Sequence, residues 1–172
     1  MPLIRNGQPL ADPWTMVADD APLPAGAVIV SLARWLRDRD ALLGRNQPIG
    51  IVLPPDQAVD GLGPDLDRLG VVALEFRSFR DGRAYSQARL LRERYGYAGE
   101  IRATGQVLRD QLLFMERCGI DSFVLPNDGA VTAWSEAIRE ISVWYQPAAD
   151  RRTWVVAARH DASALDGCAP AG

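Results

Sequence analysis

The chain has 172 residues, a formal charge of −3, 48% hydrophobic and 24% charged residues, values of an ordinary soluble globular protein and large enough for one domain with a real core. All 19 basic residues are Arg, which excludes lysine Schiff bases, lysine-linked pyridoxal phosphate and a Walker-type phosphate lysine. One histidine (His160) and two distant cysteines (Cys118 and Cys168) exclude a multi-histidine metal site or a four-cysteine iron–sulfur cluster within one chain.

In chain order, residues 3–10 carry Asn6-Gly7, a type I′ turn signal, and predict a small N-terminal β-hairpin. Residues 12–14 and 19–26 read as an irregular, acidic, proline-bearing connection, with Trp14 covering the edge of the core. Residues 28–31 predict a strand and 32–43 an amphipathic helix closed by Gly44. A second strand at 47–53 stops at Pro54-Pro55; residues 56–70 are glycine-rich and only weakly helical. The apolar, β-branched run 71–76 is a buried strand. Ala84, Ala88, Leu91 and Tyr95 then recur at helical spacing before Gly96. The cycle repeats with a strand at 100–104, a turn at Thr104-Gly105 and a helix over 107–118. A strand at 121–125, a helix over 131–141 and a last strand at 143–146 follow, and 160–172 reads as a disordered tail after a single domain over 1–159.

Strands alternating with helices predict an α/β fold with a mostly parallel sheet of about five to six strands and flanking helices. An open three-layer sheet is the first choice and a partial TIM-like barrel the alternative. The strands at 28–31, 48–53, 71–76, 100–104 and 121–125 are expected to be parallel neighbours with their C-terminal ends on one edge. No run is long and apolar enough to span a bilayer, and the N-terminus lacks a signal-peptide core, so the chain is expected in the cytoplasm.

The chemistry concentrates in residues 77–117, where nine Arg face five acids; this +4 island lies on a chain whose remainder carries −7. Arg77, Arg80, Asp81 and Arg83 fall in the loop after one strand. Arg102, Thr104, Arg109 and Asp110 fall around the next loop. If both loops share the C-terminal edge of a parallel sheet, these residues are expected to form one anion- or partner-binding face, helped by helix N-termini. The competing reading satisfies the arginines internally, as an i,i+4 pair between Arg89 and Glu93 does, and gives Asp81 and Asp110 no more than a helix-dipole role. Nucleic acid is disfavoured by an acidic chain without a binding motif. Neither GxGxxG nor GxSxG is present, Ser86 and Ser135 lack a histidine partner in the sequence pattern, and Cys118 at a helix end reads as a buried structural thiol. No motif marks a nicotinamide, flavin, haem or iron–sulfur cofactor, and catalytic residues are not legible.

The run 79–99, continued by 100–105 and 108–112, resembles a bacterial family whose members are described as probable oxidoreductases involved in sulfite reduction. Residues 4–7, 30–35, 115–119 and 145–147 share the likeness, which covers about 3–150. Members are typically encoded beside the sulfite reductase haemoprotein and phosphoadenylylsulfate reductase. The resemblance implies an accessory protein of assimilatory sulfite reduction, docking to the reductase or to an acidic electron carrier. An oxidoreductase or an enzyme handling a sulfur oxyanion or phosphate is one alternative, and a structural interaction subunit is another.

Overall fold

A computed structural model describes residues 2–5, 8–126, 129, 132, 134, 148 and 149. Its centre is one eight-stranded sheet. The strands are β1 (Leu3–Arg5), β2 (Gln8–Leu10), β3 (Trp14–Met16), β4 (Ala27–Ser31), β5 (Ile49–Leu53), β6 (Leu69–Phe76), β7 (Glu100–Gly105) and β8 (Ser122–Val124), in the order β2-β1-β8-β7-β6-β5-β4-β3. From β3 to β8 every neighbouring pair is parallel. β1 pairs antiparallel with both β2 and β8, which makes the expected hairpin part of the sheet. The five strands expected to be parallel neighbours are so, as β4 to β8. The sheet is larger than the five to six strands expected, because β1 and β2 join it and 14–16, outside every expected strand, forms β3.

The connecting segments are α1 (Leu32–Leu43), a 3-10 helix (Asp60–Arg68), α2 (Arg83–Arg89) continuing into a π turn (Leu90–Arg94), and α3 (Arg109–Arg117). Ser31 caps α1, its Oγ accepting from the Arg34 N–H at 3.0 Å. The π turn comes where the sequence predicts unbroken helix to Tyr95: the Tyr95 N–H bonds to Leu90 O at 3.1 Å, five residues back. One residue on, Gly96 adopts a φ of +62° and the Tyr97 N–H reaches Leu91 O. That ending frees Arg92 to bond the carbonyls of Tyr97, Gly99 and Gly119 and the Asp121 carboxylate, tying the loop before β7 to the loop before β8.

Strand order from β3 to β8 never reverses. Right-handed crossovers between successive parallel neighbours then place all the connecting helices on one face. An open three-layer sheet needs a reversal, so the first-choice architecture is corrected. The helix-side core is Val28, Val30, Ile51, Leu53, Val72, Leu74, Phe76, Ile101, Ala103 and Phe123, packed under Trp35, Leu62, Leu66, Ala84, Ala88, Leu91, Leu112 and Met115. Leu3, Ile29, Val71 and Ala73 alternate with these residues, point to the other face, and are buried too.

Chain connectivity explains that second burial. β2 and β3 are the two edges of the sheet, yet only Ala11, Asp12 and Pro13 join them. Four Cα steps reach about 14 Å. Eight flat strands spaced about 4.8 Å apart would separate the edges by more than 30 Å. The sheet must curl until its edges approach, and its inner face becomes enclosed. Small residues permit the curl: a Cβ on Gly50 would lie 2.2 Å from Val71 Cγ1, and one on Gly70 2.8 Å from the Trp14 indole. Trp14, half-buried on the edge strand β3, lies over Gly70.

A polar cluster occupies the same inner face. Arg102 is 2% exposed; its Nε donates to Glu100 Oε1 and its Nη1 to Asp12 Oδ2, both at 2.8 Å. Ser122 Oγ donates to Glu100 Oε1 at 2.6 Å, and Arg5 approaches the other Glu100 oxygen at 3.9 Å. Asp12 lies on the three-residue link and also accepts from the Trp14 N–H at 3.0 Å, so this cluster pins the seam of the curl. Of the expected helix at 131–141 only residues 132 and 134 are described, both helical, and the strand at 143–146 and the tail at 160–172 lie outside the described residues.

Candidate functional site

The loop between β6 and α2 is the upper rim of the curl. The Asp81 N–H bonds to Ser78 O at 3.0 Å and the Arg80 N–H to Ser78 Oγ at 3.3 Å, which makes 78–81 a tight turn. Arg77, Phe79, Arg80 and Arg83, in and beside this turn, stand in solvent. Arg77 spans Glu75 at 2.9 Å and Asp56 at 3.3 Å. Arg83 grips Asp81 with two N–H groups, at 2.9 and 2.7 Å, while its backbone N–H also donates to Asp81. Arg80 stacks on Phe79 at 5.5 Å and forms no ion pair with the described residues.

The Arg83 side chain and then its backbone N–H hold the Asp81 carboxyl down to about 2. A depressed carboxyl contributes above its unfolded value, near 3.9, and loses that contribution as pH falls through about 2. The rim therefore keeps its geometry across all neutral and mildly acidic conditions. Carboxyl-carbon NMR should find Asp81 titrating near 2, well below the ordinary aspartate value near 3.9; a midpoint near 4 would show that the clasp does not form. At the other extreme, burial pushes the Tyr85 hydroxyl up to about 12 and the Tyr97 hydroxyl up as well. A raised group contributes fully below its unfolded value, near 10, and its contribution is lost as pH rises through the folded one. Stability should hold to about pH 10 and fall beyond it, as ultraviolet titration of tyrosinate alongside circular dichroism would record.

Of the residues expected at this face, Arg77, Arg80, Asp81 and Arg83 share the rim loop. Arg109 and Asp110 are exposed in the first turn of α3, on the adjoining unit. Thr104 is half-buried, its hydroxyl donating to Leu74 O at 3.1 Å, so it braces β7 against β6. Arg102 does not join them. It pairs in register with Ala73 and Ser122, three residues short of the Phe76–Gly105 rung where both strands end, or about 10 Å below the rim. Its side chain turns inward to Glu100 and Asp12. Among the other arginines of the island, Arg89 pairs with Glu93, as the i,i+4 reading expects, and Arg94 approaches Asp60 at 3.5 Å.

The sequence reading missed the apolar part of this face. Phe79 is 56% exposed, Leu108 41% and Phe114 58%. Gln111 joins them: its Nε2 donates to Phe79 O at 3.3 Å and its N–H to Leu108 O at 3.1 Å. Phe114 lies against Tyr85 with ring centroids 4.9 Å apart, and Tyr85 against Phe76 at 5.1 Å. On α3, Leu112 and Met115 face inward and Phe114 falls between them on the outward side.

Cys118 is buried. The described residues hold no group of three His, Cys, Asp or Glu placed to bind a metal, and no helix among them is long and apolar enough to cross a membrane. What the surface offers is fixed positive charge around exposed aromatic area, a combination suited to recognition.

These features define a mixed α/β protein built on a curled, mostly parallel sheet, with a basic and aromatic rim at the C-terminal ends of its strands. The chain belongs to the bacterial family of unknown function DUF934, whose family model matches residues 50–155. The matched span begins in β5 and includes β6, β7 and β8 with both loops of the rim. No curated protein matches the chain.

Proposed function

We propose that this protein is an accessory component of assimilatory sulfite reduction that docks, through its arginine rim, to sulfite reductase or to the acidic carrier that supplies it with electrons. The pathway comes from the resemblance carried by residues 79–112. The docking mode comes from the surface, and one observation carries it: Arg77, Arg80 and Arg83 are all exposed within seven residues on one tight turn. Local carboxylates orient Arg77 and Arg83 without burying them, leaving N–H groups for a partner. A small-anion clamp is less well supported, because Arg102 lies inside the curl and two rim arginines already hold carboxylates.

The test is genetic and biochemical. Arg80→Ala with Arg83→Ala should slow growth on sulfate and leave growth on cysteine normal, since both side chains are exposed and the fold does not need them. Tagged protein should capture the sulfite reductase haemoprotein, less so as salt rises, because exposed charges are screened over about 10 Å at 0.1 M. Normal growth of the double variant on sulfate, together with no capture at low salt, would refute the proposal.

A further inference from the structure

Single exposed apolar side chains are commonplace, but several adjoining ones mark an interaction surface. Gln111 ties the backbones of Phe79 and Leu108 together, and Phe114, one helical turn beyond Gln111, lies against Tyr85. None of the three completes a core. The strip is also held in place: Arg80 stacks on the Phe79 ring, and the Phe79 carbonyl is tied to α3. Rigid aromatics beside arginines are the composition of interface hot spots, since little side-chain entropy remains to be lost on binding.

We infer that the Phe79–Leu108–Phe114 strip is the anchor of the docking surface, and that its occupant is an acidic protein presenting an apolar protrusion ringed by carboxylates. This rests on the docking reading proposed above and specifies its partner. Charge complementarity selects the occupant. Arg77, Arg80 and Arg83 border the Phe79 end of the strip; Arg77 and Arg83 already hold Glu75, Asp56 and Asp81, whereas Arg80 forms no ion pair with the described residues, so desolvated contact there calls for a carboxylate opposite Arg80. Apolar contact supplies the salt-independent part of the affinity, and the arginines supply orientation and encounter rate. A second copy of this chain is the rival occupant, because residues 1–76 carry ten acids against six arginines.

The experiment measures binding of the full chain to purified sulfite reductase haemoprotein at low and high salt, for wild type, Phe79→Ser/Phe114→Ser and Arg80→Ala/Arg83→Ala. Circular dichroism checks that each variant keeps the wild-type fold, and the single substitution Phe114→Glu serves if the double serine variant does not fold. The aromatic variant should bind at least about tenfold more weakly at both salt concentrations. The arginine variant should lose affinity mainly at low salt. If the aromatic variant binds as wild type while the arginine variant does not, the anchor is refuted and the docking reading stands. If wild type binds neither the haemoprotein nor, in the same assay, its acidic electron carrier at either salt concentration, both fall. If sedimentation shows that wild type is a dimer and the aromatic variant a monomer, the strip belongs to a self-interface and the acidic partner is refuted.

Discussion

Glu100→Ala should destabilise the protein by about 3–5 kcal/mol, the usual cost of removing one partner from a buried ion pair. Arg102 is 2% exposed and its Nη2 already lacks a partner among the described residues. Removing Glu100 orphans Nε as well, leaving one hydrogen bond to Asp12 for a full charge inside the curl. Ser122 loses its acceptor in the same step. Against a total stability of about 5–15 kcal/mol, such a loss approaches unfolding at growth temperature. Urea denaturation checks the size. Arg102→Met combined with Glu100→Leu should be milder than Glu100→Ala alone, because removing both charges leaves nothing uncompensated. A loss below about 1 kcal/mol for Glu100→Ala would mean that water screens the pair as it does at a surface.

Gly105→Ala should cost about 3 kcal/mol through backbone strain and steric conflict acting together. Gly105 ends β7 with a φ of +87°, and a Cβ there would lie 2.5 Å from Phe76 O. That oxygen cannot retreat, because it accepts the Gln106 N–H at 2.8 Å and Phe76 is in register with Gly105. The strain falls where β7 turns toward Leu108, so the rim should be displaced as well as the fold weakened. Gly82→Ala is the control: it lies in the same rim loop, nothing is within 4 Å of its added Cβ, and its φ is −81°, so its effect should stay within about 0.5 kcal/mol. Thermal unfolding of the two variants separates these cases. Equal melting temperatures would show that the turn at Gly105 adapts.

The parallel core was legible because β4, β5 and β6 are β-branched apolar runs and strands alternate with helical patterns along the chain. In 71–76 and 100–104 the alternation of strand and helix was enough to place the strands beside each other in the sheet. The edges were less legible. β3 spans three residues, Trp14, Thr15 and Met16, too few for any periodicity, and they form a strand only because β4 offers them a partner. Phe114 was hidden for a different reason: a phenylalanine in an amphipathic helix is ordinarily assigned inward, and only the observed orientation of α3 turns it out.

The amino-acid sequence by itself determined the α/β class, the five parallel strands, the rim loop with Arg77, Arg80 and Arg83, and the chemistry unavailable to a chain without lysine. Those are consequences of composition and of short-range spacing, which act through neighbours a few residues apart. Tertiary structure alone decided the curl, the burial of Arg102 and the exposure of the Phe79–Leu108–Phe114 strip. Asp12 and Arg102 are ninety residues apart and meet because a three-residue link draws two sheet edges together. An arginine in a strand can turn to either face of the sheet. Which face is enclosed depends on closure of the whole sheet, a long-range property that local pattern does not encode.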